Sequence, residues 1–402
     1  MKAELNPFNP GSGLRPPALV GRDSELDALD VIVHRVRNRL PSRGIVLSGL
    51  RGVGKTVLLN EMRNHAEEAG WFVVNLEARP DEAGASSARQ ILAREMTVQA
   101  RRLSRRATMT DRVRTALQSV SSFNVKLGTT GIDLGVEIAP GRADSGDIEV
   151  DLPELVQDLC AALQEDDGAF GLFIDELQDL DPSLLRALLV TQHQAGQRGW
   201  PFYIIGAGLP HLPRILAETR SYAERLFDYR TIARLPDPEA TSALVDPVQT
   251  SGVSFEPQAL RLLLDASGGY PYFLQEYGRA AWEVASGPSI LAEDARASVI
   301  IGLQRLDDGF FRSRWNRATA SERRMLVAMA KDGVGPSTSS EVARRMELKP
   351  SSLGPYRANL INKGLVYAPA HGLLAYTVPG MADYVHRNRE DFEGVNPTDT
   401  GG

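Results

Sequence analysis

The run Gly49-Leu50-Arg51-Gly52-Val53-Gly54-Lys55-Thr56 sets three glycines just ahead of a lysine and a threonine. Glycines let consecutive backbone N–H groups turn inward around phosphate oxygens, the lysine brings a point charge to the β/γ-phosphates, and the threonine hydroxyl can ligate Mg²⁺. A helix opening at Lys55-Thr56-Val57 would present its positive N-terminus to the same anion. The spacing fits G-x-x-x-x-G-K-[ST], and the run lies between an apolar stretch and a helical one, the context such a loop needs. The alternative is a glycine turn with a structural purpose only. Further along, Leu172-Phe173-Ile174 is followed by Asp175-Glu176. Two carboxylates at the C-terminal end of a buried strand stand where α/β sheets bind ligands. Asp175 can hold Mg²⁺, and Glu176 can orient or deprotonate an attacking water. Taken alone, the same residues read as an apolar run capping a helix.

These groups need a scaffold, and the flanking pattern supplies one. Gly44–Ser48, Trp71–Leu76, Phe170–Ile174, Phe202–Ile205 and Tyr229–Leu235 are short apolar runs, alternating with helical segments such as those from Asp23 to about Leu40 and from Lys55 to about Ala69. That alternation predicts an α/β domain with a parallel sheet over 18–236. Asn6–Pro17 is rich in proline and glycine, so 1–17 reads as a flexible arm. Phe123, Val125 and Leu127, then Ile132, Leu134, Val136 and Ile138, alternate about a Gly128–Gly131 turn. This predicts a β-hairpin insert at about 120–140, packed on its own domain or facing a partner. Beyond Pro236 the pattern turns helical, predicting a helical lid over 237–308. Three short helices and an alternating segment, Leu365–Val378, then outline a winged helix-turn-helix over 309–388. The polar end, 389–402, reads as a disordered tail.

With these residues in place, the chain resembles the AAA+ and STAND branches of P-loop ATPases, nearest their archaeal-type and origin-recognition-like members, over roughly Pro16 to Asp307. The resemblance implies ATP and Mg²⁺ as ligands and a lining for the adenine from Val20-Gly21-Arg22. It implies an arginine finger at Arg225, acting on a neighbouring copy and so requiring at least a dimer. The other reading of Arg225 is a surface arginine near Glu224 and Asp228. Gly269-Tyr270-Pro271 resembles the Gly-x-Pro motif of STAND proteins, in which the proline touches the nucleotide. A proline that merely starts a helix is the alternative. Two departures stand out. Gly206-Ala207-Gly208 occupies the place where the family often carries a water-positioning Asn, Ser or Thr, and Tyr272 stands where initiators tend to carry a sensing arginine. Missing polar sensors would slow hydrolysis more than binding, so the expectation leans to a slow, nucleotide-controlled switch.

The formal net charge is −6, and no global basic field advertises nucleic acid. Locally, from Gly309 to Gly364, eleven Lys/Arg face four acidic residues. Such an excess is what phosphate contact requires. Arg344, Arg345 and Lys349 suit backbone contacts, with Ser351, Ser352, Asn359 and Lys363 on or beside the outward face of the third helix. Double-stranded DNA is therefore one expected partner, and a protein or intramolecular contact is the other. Cys160 is the sole cysteine, which excludes an intramolecular disulfide framework and suits a reducing cytoplasm. No apolar run approaches membrane-spanning length. The leading expectation is an ATP hydrolase. Its rivals are a non-catalytic nucleotide-responsive regulator and, more distantly, a small-molecule kinase, for which no acceptor site is evident.

Overall fold

The computed structural model describes residues 1–79, 82–106, 109–126 and 142–388. The chain divides into two compact units, one of Arg22–Gly49 with Lys55–Ile232, the other of Met1–Gly21, Leu50–Gly54 and the chain from Ala233 onward.

In the first unit, β1 (Gly44–Ser48), β2 (Phe72–Glu77), β3 (Phe170–Asp175), β4 (Phe202–Gly208) and β5 (Phe227–Thr231) form one sheet in the order β2-β3-β4-β1-β5. Every pairing is parallel. β1, β3 and β4 are buried almost throughout, and strands covered on both faces read as unbroken apolar runs rather than alternating ones. The expected strands are all present, with β5 two residues earlier than its apolar pattern suggested. Its register starts at Phe227 opposite Gly44, and Leu235 instead joins the core of the other unit. Phe72, Phe170 and Phe202 stack edge to face across three neighbouring strands, with centroids 5.2 and 5.0 Å apart. Such contacts pin the register from the core side.

Helices Glu82–Arg106, Asp111–Lys126, Ile148–Leu163 and Pro182–Arg198 pack against one another in that order. This corrects the first arm of the expected hairpin, because Phe123 and Val125 lie inside the helix Asp111–Lys126. Val113, Ala116, Leu117, Val120 and Phe123 are all buried, and their spacing is the 3.6-residue period of a helix face. Two alternating residues at its end were too short a window to outweigh it. The remainder of the expected hairpin, 127–141, lies outside the described residues, as does the expected tail, 389–402.

In the second unit, helices Asp237–Gln249, Pro257–Ser267, Pro271–Val284 and Ala292–Arg305 occupy the span that was expected to be helical. The arm expected to be flexible is part of the same unit. Phe8 is 3% exposed in its core, Trp282 Nε1 donates to the Lys2 carbonyl at 2.9 Å, and the Met1 ammonium donates to the Ala285 carbonyl at 2.8 Å. Proline and glycine removed regular structure from this segment without removing its one large anchor. Farther on, helices Ala320–Ala330, Ser339–Arg345 and Gly354–Asn362 accompany a three-stranded antiparallel sheet. Leu373–Tyr376 is its central strand, between Ser337–Thr338 and Val366–Tyr367. Three helices followed by an antiparallel strand pair fit the outline expected for 309–388, while the strand Ser337–Thr338 and the helix Met381–Arg387 were not expected. Among the described residues no helix is long and apolar enough to cross a membrane.

Candidate nucleotide site

β1 ends at Ser48, and the glycine-rich loop follows at once. Its first residue stays tied to the sheet, Gly49 N–H donating to the Gly208 carbonyl at the end of β4 (3.1 Å). Gly52 and Gly54 have φ of +84° and +92°, left-handed values that side chains rarely adopt. The open space around the Gly54 α-carbon shows that conformation, not crowding, demands glycine there. Val53 is buried and Lys55 is 8% exposed at the first turn of the helix Lys55–Glu68. Val57 follows one residue after Thr56 in that turn.

Thr56 and Asp175 meet. The Thr56 hydroxyl donates to Asp175 Oδ2 at 2.6 Å, while Asp175 Oδ1 accepts the Glu176 N–H at 2.9 Å. Burial pushes the Asp175 carboxyl above its ordinary range. The Thr56 hydrogen bond and the Lys55 charge oppose that shift, and the Glu176 charge adds to it. A hydroxyl and a carboxylate oxygen in contact are hard donors suited to Mg²⁺ that keeps waters and phosphate oxygens as its other ligands. Among the described residues no cluster of three or more His, Cys, Asp or Glu could hold a metal by itself.

Glu176 has φ +50°, uncommon for a residue with a side chain. Its carboxylate accepts from Gln178 Nε2 at 2.7 Å. Sequence reasoning missed Gln178, and it missed His211, which is buried at the start of the helix Leu212–Thr219. Burial and Arg214 lower the imidazole's affinity for protons, and the Glu176 charge partly restores it. The Asp-Glu-x-Gln spacing was the available signal for Gln178. Nothing local marked His211.

The middle of the glycine-rich loop has long-range partners. Arg51 N–H donates to the Thr377 carbonyl at 2.8 Å, and the Gly52 carbonyl accepts from Tyr272 N–H at 3.2 Å. Pro271 therefore starts its helix one residue from a bond to this loop. The Arg51 guanidinium lies against Gly364, where an added Cβ would sit 2.9 Å from a guanidinium nitrogen. It also combines with burial to lower the pKa of Arg314 to about 10. Val20 packs against the core of its unit, Gly21 has φ +66°, and Arg22 is 9% exposed at the N-terminus of helix Asp23–Arg37. Arg225 is exposed on the short helix Ala223–Leu226, and nearby Asp228 pairs with Arg230 at 2.8 Å.

The basic segment divides in two. Lys349, Ser351, Ser352 and Asn359 are exposed, and Arg344 is 72% exposed while pairing with Glu341. Arg345, by contrast, is 14% exposed and bridges Asp332 (2.6 Å) and Glu341 (3.0 Å). Lys363 is bound to the buried Glu322 at 2.6 Å.

Comparison with known proteins bears on both parts of the chain. The AAA ATPase domain family matches residues 18–205, and a family described as a domain of unknown function matches 308–385. No curated protein sequence matches. Among solved structures, a Walker-type ATPase of Pyrococcus abyssi is 15% identical, with a TM-score of 0.58 over 95% of this chain and 99% of that one. Cdc6p from Pyrobaculum aerophilum is 15% identical, with a TM-score of 0.47 over 98% of each chain. The Orc1 protein of Aeropyrum pernix, solved in complex with DNA, is 15% identical, with a TM-score of 0.44 over 94% of each. At such identities the first likeness speaks to the fold, and the other two add no weight.

Proposed function

Because residues 18–205 match the AAA ATPase domain family, we propose that this chain is a P-loop ATPase that hydrolyses ATP slowly and uses the bound nucleotide as a switch. The observation that carries the reading is the Thr56–Asp175 hydrogen bond at 2.6 Å, with Glu176 next in the chain. It brings together two residues far apart in sequence that this reading assigns to one phosphate site. The N–H groups of Gly52 to Thr56, with Lys55, would bind the β/γ-phosphates, and Thr56 and Asp175 would hold Mg²⁺. The ion supplies neutralising charge to the phosphates when bound. Glu176 would orient the attacking water and accept its proton. Val20, Gly21 and Arg22 would line the adenine and Pro271 would touch the nucleotide, as the resemblance to AAA+ and STAND proteins implies. Arg225, exposed and on a short helix, is suited to reach the site of a second copy in a homo-oligomer.

The output we assign to the module over 309–388, read as a winged helix, with double-stranded DNA as the first partner to test. Support comes from the exposed Arg344, Lys349, Ser351, Ser352 and Asn359, which suit phosphate contact rather than base reading. A protein partner is favoured by a different observation, the commitment of Arg345 and Lys363 to internal ion pairs. A cytoplasmic setting suits a nucleotide switch with one fully buried cysteine.

The test is ATP binding and turnover by wild type, Lys55→Ala and Glu176→Gln, with and without mixed-sequence duplex DNA. The reading requires binding to fall with Lys55→Ala and turnover to fall with Glu176→Gln. Turnover unchanged by Glu176→Gln would leave a non-catalytic regulator. Stimulation by duplex would identify DNA as the partner, and indifference would direct the search to a protein.

A further inference from the structure

The end of β4 carries no polar side chain where a water-positioning group would help hydrolysis, only Gly206-Ala207-Gly208. The structure accounts for both glycines. A Cβ on Gly206 would lie 2.5 Å from a Leu177 methyl, and one on Gly208 would collide with Gln178 Oε1. The space beside the strand is already filled by the turn that follows Glu176.

Gln178 uses that space to connect three groups. Its Oε1 accepts the Leu209 N–H at 3.0 Å, just past β4. Its Nε2 donates to Glu176 Oε2 at 2.7 Å and to Asp179 Oδ2 at 3.1 Å. The amide has one sensible orientation, because a backbone N–H can only donate and the two carboxylates accept. The Glu176 backbone, at φ +50°, turns so that the side chain of a residue two positions later folds back onto its carboxylate. The Glu176 charge is felt by both His211 and Asp175, and Asp179 shares the Gln178 amide.

We propose that Gln178 is the positioning residue for Glu176, supplying from the loop after β3 the amide that β4 lacks. The inference rests on the hydrolytic reading above and adds a part to it. A glutamine in this place anchors the carboxylate to the rigid sheet through Leu209, so Glu176 is held toward one water position without losing its charge. An amide bond donor that merely filled space could be replaced by its isostere. A positioning donor could not, because Glu at 178 offers an acceptor to an acceptor.

The experiment compares kcat and ATP affinity for wild type, Glu176→Gln, Gln178→Ala, Gln178→Glu, Gly208→Asn and the pair Gln178→Ala with Gly208→Asn, with thermal unfolding as the check on folding. Gln178→Ala is expected to lower kcat by about 10- to 100-fold at unchanged ATP affinity. Gln178→Glu should lower it at least as far. Gly208→Asn alone should lower kcat, since the new side chain meets Gln178. In the Gln178→Ala background the same change places an amide in the vacated space, with the Leu212 methyl turning aside, and should recover part of kcat. Wild-type kcat in both folded Gln178 variants, with Glu176→Gln inactive, overturns this inference and leaves the hydrolytic reading standing. Turnover indifferent to Glu176→Gln overturns both.

Discussion

Two regions of this chain hold several charged groups close together, and they hold them by opposite means. At the end of β3 the carboxylates accept from neutral donors. Asp175 takes the Thr56 hydroxyl and the Glu176 N–H, and Glu176 takes the Gln178 amide. Such bonds fix direction without pairing the carboxylate with a cation. In the module after 309 the cations are held by acids. Arg345 is clamped between Asp332 and Glu341, Lys363 sits on Glu322, and Arg387 pairs with Asp307 at 2.6 Å. These pairs fix the fold and spend the charge. A count of charges in a sequence measures supply, whereas function depends on what the fold leaves uncommitted.

The comparison breaks most plainly at Glu176. Glu176→Gln should lower kcat by about 10²- to 10³-fold with ATP affinity little changed, the range expected for loss of a general base. Single-turnover hydrolysis beside equilibrium ATP binding checks it. Asp175→Asn should reduce Mg²⁺-dependent ATP affinity by about 10-fold, the loss expected when a carboxylate that tunes the ion's site is neutralised. A chelator should then weaken ATP binding much less in the variant than in wild type. The opposite kind of bond is probed by Glu322→Gln. Burial raises the Glu322 carboxyl, but the Lys363 pair and the Thr319 N–H outweigh it and hold the pKa below its usual 4.5. Its folded pKa is therefore depressed, so its stabilisation is complete above the unfolded value and is lost as pH falls through the folded one. Glu322→Gln should cost about 1–2 kcal/mol at pH 7, the scale of a charge-assisted hydrogen bond. Thermal or urea unfolding should show that difference shrinking as the pH falls below about 4. The smallest effect belongs to Lys349→Ala. If duplex DNA binds, affinity should drop only a few-fold and the salt slope by about 1, as for one phosphate contact. Arg345→Ala, in contrast, should show its loss in unfolding before it shows in binding.

What could be read from the sequence follows the same division. The glycine-rich loop between strand and helix, the place of Asp175-Glu176 at the end of β3, and the five strands were legible because each depends on neighbours in sequence: spacing across one turn, or an unbroken apolar run. The sheet's parallel order followed from the alternation with helices. Gln178 was not singled out, since its importance comes from Leu209, and no spacing rule connects those positions. Arg345 and Lys363 counted as available charge because their partners, Asp332 and Glu322, could be tallied but not located. Phe123 and Val125 were misread through a window too short to separate period 2 from period 3.6. The arm up to Pro17 was judged by its prolines, while its one buried ring, Phe8, decided its fate.

The bonds from Arg51 to Thr377 and from Gly52 to Tyr272 have a consequence for how the protein is made. The backbone groups that hold the middle of the glycine-rich loop, at Tyr272 and Thr377, are made long after the loop itself. During synthesis the first unit's sheet can assemble from β1 to β5 while residues 50–54 still lack their partners. A nascent or truncated chain ending before Thr377 would carry an intact P-loop sequence without its finished conformation. The loop would be held in its finished form only once the chain has been made through Thr377, so its conformation depends on residues made long after its own.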